Sequence, residues 1–304
     1  MKRRNFVKNT LLGASGIGIT SGLQARDRQG LTADKPFNLN YAPHNGMFKN
    51  HAGDDFVDQI NYMAERGFKS IEDNGMMKRS TEEQENISKT LVKNGMDMGV
   101  FVVDKGGNGA NTLAAGKKEY EDIFLDGCRR AVEVAKRVNA TWMTVVPGNF
   151  ERHLPMDIQT ANVVESLKKA SDIFEPHGLV MVLEALSDTP DLYLRTTPQS
   201  YLVCKAVNSP SCKILYDAYH MQKNEGNLIN HLDWSWDEIA YVQVGDNPGR
   251  KEPYTGEVNY QNVFKHLYEK GYEGIVGMEH GLSEGGEAGE DKLVQAYRKA
   301  DDFL

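Results

Sequence analysis

Apolar residues fall along this chain in two alternating patterns. One is a short β-branched run bounded by turn residues, the mark of a strand buried on both faces. Such runs occur at Asn38–Ala42, Lys69–Glu72, Met98–Val103, Thr141–Val146, Val180–Glu184, Lys213–Asp217, Tyr241–Gln243 with its continuation to Gly245, and Ile275–Glu279. The other pattern places apolar residues three and four apart, as on a helix with one buried stripe. It covers Asp54–Arg66, Ser80–Asn94, Lys117–Val138, Asp157–His177, Pro198–Val207, Leu228–Trp234 and Tyr260–Lys270. Local signals agree: Asp54 or Asp55 can cap the first helix, Gly67 can stop it, and Ser80 with Glu83 forms a capping box for the next. Alternating strands and helices imply a parallel sheet, and eight repeats imply that it closes. The predicted fold class is α/β, a single-domain (β/α)8 TIM barrel over residues 31–304, with its site at the C-terminal face of the strands.

The last four strands sharpen the picture, because each ends in a side chain that offers oxygen to a hard cation. Glu184, Asp217, Gln243 and Glu279 are separated by 33, 26 and 36 residues, about one strand-helix unit each, so a closed barrel brings all four to one mouth. Three carboxylates and an amide favour one divalent Mg2+ or Mn2+ ion over zinc, which prefers nitrogen and sulfur. Any single acid at a strand end could simply cap the following helix; four at matching positions point to a metal site. His220 stands three residues after Asp217, and Arg250 supplies positive charge in a polar loop of a chain with formal net charge −8. Both are candidate substrate contacts.

Composition narrows the function classes. Hydrophobic content of 40% and charged content of 26% suit a globular domain, and no run approaches the ~18 apolar residues of a membrane span. The acidic balance and the lack of an internal basic tract disfavour a nucleic-acid partner. Cys128, Cys204 and Cys212 form no CxxC and no zinc-finger spacing, and read as buried hydrophobes. Residues 1–30 stand apart: Lys2-Arg3-Arg4-Asn5-Phe6-Val7-Lys8 followed by a weakly apolar run to Gly22 is the pattern of a twin-arginine export signal. A periplasmic location is expected, with no membrane insertion after export. The glycine-rich Lys105–Gly109 loop lacks the Lys-Ser/Thr of a P-loop and is read as an active-site loop. His44, His51 and His153 are placed as solvated or supporting groups, as is Glu72 at the end of the second strand.

From Leu183 to His280 the chain resembles hydroxypyruvate isomerases, members of the xylose-isomerase-like barrel superfamily. The segments carrying the likeness are LEALS, LYDAYHMQKNEGNL, YVQVGDNPGRKEP, GEVNY and GYEGIVGMEH. The resemblance implies that Glu184, Asp217, Gln243 and Glu279 hold the metal, that Glu184 and Glu279 are also the acid-base pair, and that His220 and Arg250 touch substrate. It implies aldose-ketose-type isomerisation through an enediolate, hydroxypyruvate to tartronate semialdehyde, on a small hydroxy-keto acid or ketose. A ketose 3-epimerase or keto-sugar lyase would use the same residues, and a non-catalytic sugar-binding barrel is a third reading. The loops after the first four strands do not look like the family's, and they shape the substrate end of the pocket. Assembly of identical copies is compatible with the sequence, although nothing in it requires one.

Overall fold

The computed structural model describes residues 36–304, so the expected export segment lies outside it. Its strands are β1 (Asn40–Ala42), β2 (Ser70–Ile71), β3 (Asp97–Met98), β4 (Phe101–Val102), β5 (Trp142–Val145), β6 (Val180–Glu184), β7 (Cys212–Asp217), β8 (Ile239–Gln243) and β9 (Ile275–Gly277). The order is β1-β9-β8-β7-β6-β5-β4, with β2 and β3 as a second pair, and every pairing is parallel. The two sheets join into a ring. Glu72 donates its backbone N–H to Pro43 O at 3.0 Å and Gly99 to Ile71 O at 2.7 Å, while Met98 bridges Ala140.

The expected third strand is split into β3 and β4 at Gly99-Val100. The Tyr241 hydroxyl reaches across the barrel and accepts the Val100 N–H at 3.4 Å. A side chain at Gly99 would collide with that hydroxyl and with the Ile71 carbonyl. A tyrosine packed inside the barrel therefore decides where this strand breaks.

The helices are α1 (Lys49–Ala52), α2 (Phe56–Glu65), α3 (Thr81–Asn94), α4 (Lys118–Val138), α5 (Met156–Phe174), α6 (Thr197–Val207), α7 (Ala218–Asn224), α8 (Leu228–Ser235), α9 (Tyr260–Glu269) and α10 (Gly286–Ala300). Asp55 is the cap of α2, and the Ser80–Glu83 capping box opens α3. The unexpected α7 starts directly from β7 because Asp217 Oδ1 accepts the N–H groups of Tyr219 at 2.7 Å and His220 at 3.4 Å. No helix among the described residues is long and apolar enough to cross a membrane, and the three cysteines are free and buried.

Successive strand residues point to opposite faces, and that period sorts the core. Outward residues such as Met181, Leu183, Ile214, Tyr216, Val242 and Val276 pack under the helices. Inward residues Ala42, Val100, Val182, Leu215, Tyr241 and Ile275 fill the barrel. Two residues beyond each of these last four stand Glu184, Asp217, Gln243 and Gly277, and two beyond Gly277 stands Glu279. The apolar layer is thus the floor of the site, and the same alternation that builds it aims the polar side chains into the mouth.

Candidate active site

Glu184, Asp217, His220 and Glu279 each present a ligating atom, and these atoms all lie within 4.8 Å of one another. Gln243 is in register with Asp217 on the neighbouring strand. Glu184, Asp217, Gln243 and His220 are buried, and Glu279 is partly so. Glu279 sits just past the end of β9 rather than within a strand.

Gln243 is oriented from across the barrel. Its Nε2 donates to Glu72 Oε2 at 3.1 Å, which leaves its Oε1 buried without a hydrogen-bond partner. Since an amide's two ends are told apart by their partners, Glu72 decides that oxygen faces the site. His44 Nε2 stands 2.5 Å from the same Glu72 oxygen. Burial alone would lower the His44 pKa, but the Glu72 carboxylate more than reverses this and raises it. Space for the Glu72 carboxylate exists because residue 277 is glycine; a Cβ there would overlap it.

Arg250 is brought to the site, but onto protein carboxylates. Its Nη2 donates to Glu279 Oε2 at 2.7 Å and Asp217 Oδ2 at 3.1 Å, and its Nε donates to the Glu279 carbonyl at 3.0 Å. The guanidinium lies 4.8 Å over the Tyr219 ring. Asn74, two residues past Glu72 and not singled out from the sequence, donates to Glu279 Oε1 at 2.9 Å. Both Glu279 oxygens are therefore in use, whereas Glu184 Oε1 is buried and unpartnered.

His220 is a donor into the site. The Ser187 N–H donates to its Nδ1 at 3.1 Å, so Nδ1 carries no proton and the neutral ring keeps its hydrogen on Nε2. Burial, the largest influence, holds its pKa below the ordinary value, consistent with a neutral ring. Nε2 lies 3.5 Å from Asp217 Oδ2 and 3.8 Å from Glu184 Oε1. That hydrogen fits Nε2 to steady an oxygen of a substrate. Ser187, the last residue of the LEALS segment, sets the tautomer through its backbone N–H, and its hydroxyl also lies 2.7 Å from Nδ1; this role was not legible in the sequence because it needs a loop to meet a helix 33 residues away.

Both glutamates hold a proton more tightly than an ordinary carboxylate does. Burial, then the charges of Glu279 and Asp217, raise the Glu184 pKa well above its ordinary value. Burial also pushes Glu279 up to about 7, against the lowering effect of Arg250. The donor set fits a hard divalent cation: unpartnered buried oxygens on Glu184 and Gln243, with carboxylate oxygens of Asp217 and Glu279 gathered beside them.

His51, by contrast, bonds Glu290 of α10 at 2.6 Å, and His153 is exposed; neither is in the cluster. The Lys105–Gly109 loop borders the mouth beside Asn74.

Residues 60–300 match the family described as xylose isomerase-like TIM barrel. The chain belongs to that family. It is 28% identical over 234 residues to hydroxypyruvate isomerase of Escherichia coli (strain K12), covering 74% of this chain and 88% of that protein. It is also 28% identical over 233 residues to 2-oxo-tetronate isomerase of Haemophilus influenzae, covering 74% and 87%. Among solved structures, a 3-keto-D-glucoside 4-epimerase from E. coli superposes with a TM-score of 0.71 at 19% identity, covering 86% of this chain and 98% of that one. Kinship with these isomerases makes this family member an enzyme of the isomerase class.

Proposed function

We propose that the protein is a divalent-metal-dependent isomerase that moves a proton between adjacent carbons of a small hydroxy-keto substrate, with hydroxypyruvate as the type substrate. One observation supports it above the rest: buried Glu184 and partly buried Glu279, both with raised pKa values, converge with Asp217 and His220 so that their ligating atoms lie within 4.8 Å of one another. Glu184, Asp217, Gln243 and Glu279 would hold Mg2+ or Mn2+, which supplies positive charge where an enediolate's negative charge develops.

The chain's own groups divide the remaining work. Glu184 takes the proton from the carbon bearing the hydroxyl with the carboxylate oxygen it does not give to the metal; its raised pKa suits it to hold that proton. Glu279, fixed by Arg250 and Asn74, lies close enough for the pair to serve both carbons. The Nε2–H of His220 donates to a substrate oxygen. The dry floor of Val182, Leu215 and Tyr241 excludes water beneath the site.

With Mn2+-loaded protein, hydroxypyruvate, 2-oxo-tetronate and free ketoses form the substrate screen. Glu184→Gln and Glu279→Gln should each lower turnover at least the ~10²–10⁴-fold expected for an acid-base group, and solvent deuterium should enter the product at the carbon that receives the proton. Wild-type turnover in both variants would sink this mechanism. The Lys2–Lys8 twin-arginine pattern supports a periplasmic site of action.

A further inference from the structure

Arg250 spends its guanidinium on Asp217 and Glu279, so it is poorly placed to neutralise a substrate's own negative charge. Another buried cation borders the mouth. Lys105 is 4% exposed and lines a cavity of about 250 Å3 with Asn74, Met77, Lys78, Asp104, Asn108 and Val146. Asn74 belongs to both places, since it lines this cavity and donates to Glu279. The cavity therefore lies beside the acid-base pair, over the ends of β2, β4 and β5.

The ammonium of Lys105 is solvated but not neutralised. It donates to the carbonyls of Gly107 at 3.1 Å, Asn108 at 3.4 Å and Ala110, all in its own loop. None of its partners is a carboxylate. Burial alone depresses its pKa, to about 8, with no acidic group offsetting it. A buried charge without a counter-charge is costly and rarely kept without use. The long contact to Asn108 is the one most easily exchanged for another acceptor. Asn74 Oδ1, also buried, has no hydrogen-bond partner and can take a hydroxyl hydrogen from the same ligand.

We propose that Lys105 is the specificity residue of this site: it receives the carboxylate of a short 2-keto acid whose hydroxyl-bearing carbon lies at Glu184 and Glu279. This rests on the isomerase reading and deepens it by selecting acids over neutral ketoses. The small cavity agrees, being below the roughly 300–1,000 Å3 of pockets that hold drug-sized ligands.

The test compares kcat/KM for a 2-keto acid and for the neutral ketose of equal chain length, in wild type, Lys105→Met and Lys105→Arg, with thermal melts to confirm folding. The acid-to-ketose ratio should fall about 10- to 100-fold in Lys105→Met, the usual worth of a hydrogen bond to a charged group, mainly through KM for the acid. Lys105→Arg should recover much of it. An unchanged ratio in Lys105→Met, or equal losses on both substrates, would show that the lysine only shapes its loop and would overturn the assignment while leaving the isomerase reading intact. Turnover of neither substrate by wild type would remove both readings, whereas turnover of the acid alone would support the assignment.

Discussion

Gln243 Nε2 lies 3.1 Å from Glu72 Oε2, joining residues 171 positions apart. The contact turns a symmetric-looking amide into a directed oxygen donor. Glu72→Gln keeps the shape but offers the amide an ambiguous partner. Affinity for Mn2+ should then fall by about 10- to 100-fold, the scale of losing a group that orients a ligand. Calorimetric titration checks this, and the loss should not add to that of Gln243→Ala, because both act on one oxygen. Additive losses would show that Glu72 acts elsewhere.

Gly277 should be as sensitive as the ligands themselves. Its missing Cβ is the room that Glu72 occupies, so Gly277→Ala forces the carboxylate aside within a packed barrel. Overpacking of this kind costs about 1–3 kcal/mol, and a thermal melt should show it as a lower Tm. Metal affinity should fall along with it. A variant with unchanged Tm and affinity would mean that the Glu72 carboxylate has room to move.

Glu279 predicts opposite pH trends with and without metal. Its pKa is pushed up to about 7 from the ordinary 4.5, chiefly by burial. Folded protein therefore holds a proton that the unfolded chain has released in this window. The resulting stability of metal-free protein is fully present below 4.5 and is lost as pH rises through 7. A cation needs the bare carboxylate, so metal affinity should weaken as pH falls below 7, by roughly tenfold per pH unit for each proton displaced. Melts in chelator and metal titrations between pH 5 and 8 would reveal both; parallel trends would count against Glu279 as a ligand.

The export reading has its own experiment. Replacing Arg3 and Arg4 together by lysine keeps the charge and removes the twin-arginine pattern of the N-terminal segment. Periplasmic yield of the chain should drop sharply by fractionation and immunoblot. Unchanged yield would discard that pathway.

The positions of Glu184, Asp217 and Gln243 could be read from the sequence, because a strand's period of two and a barrel's repeat of one strand and helix are local regularities. The capping box of α3 and the family segments from Leu183 onward were equally local. Tertiary contacts decided the rest. The break at Gly99 comes from Tyr241 across the barrel, and the choice of Gln243 oxygen comes from Glu72. The tautomer of His220 comes from the Ser187 backbone. Arg250, which charge and the family likeness suggested as a substrate contact, is placed on Asp217 and Glu279 by a loop that the sequence pattern does not orient. Periodicity says which face a residue occupies, but the direction of a hydrogen bond or the partner of a charge depends on atoms brought together from distant strands, and these meet only once the barrel closes.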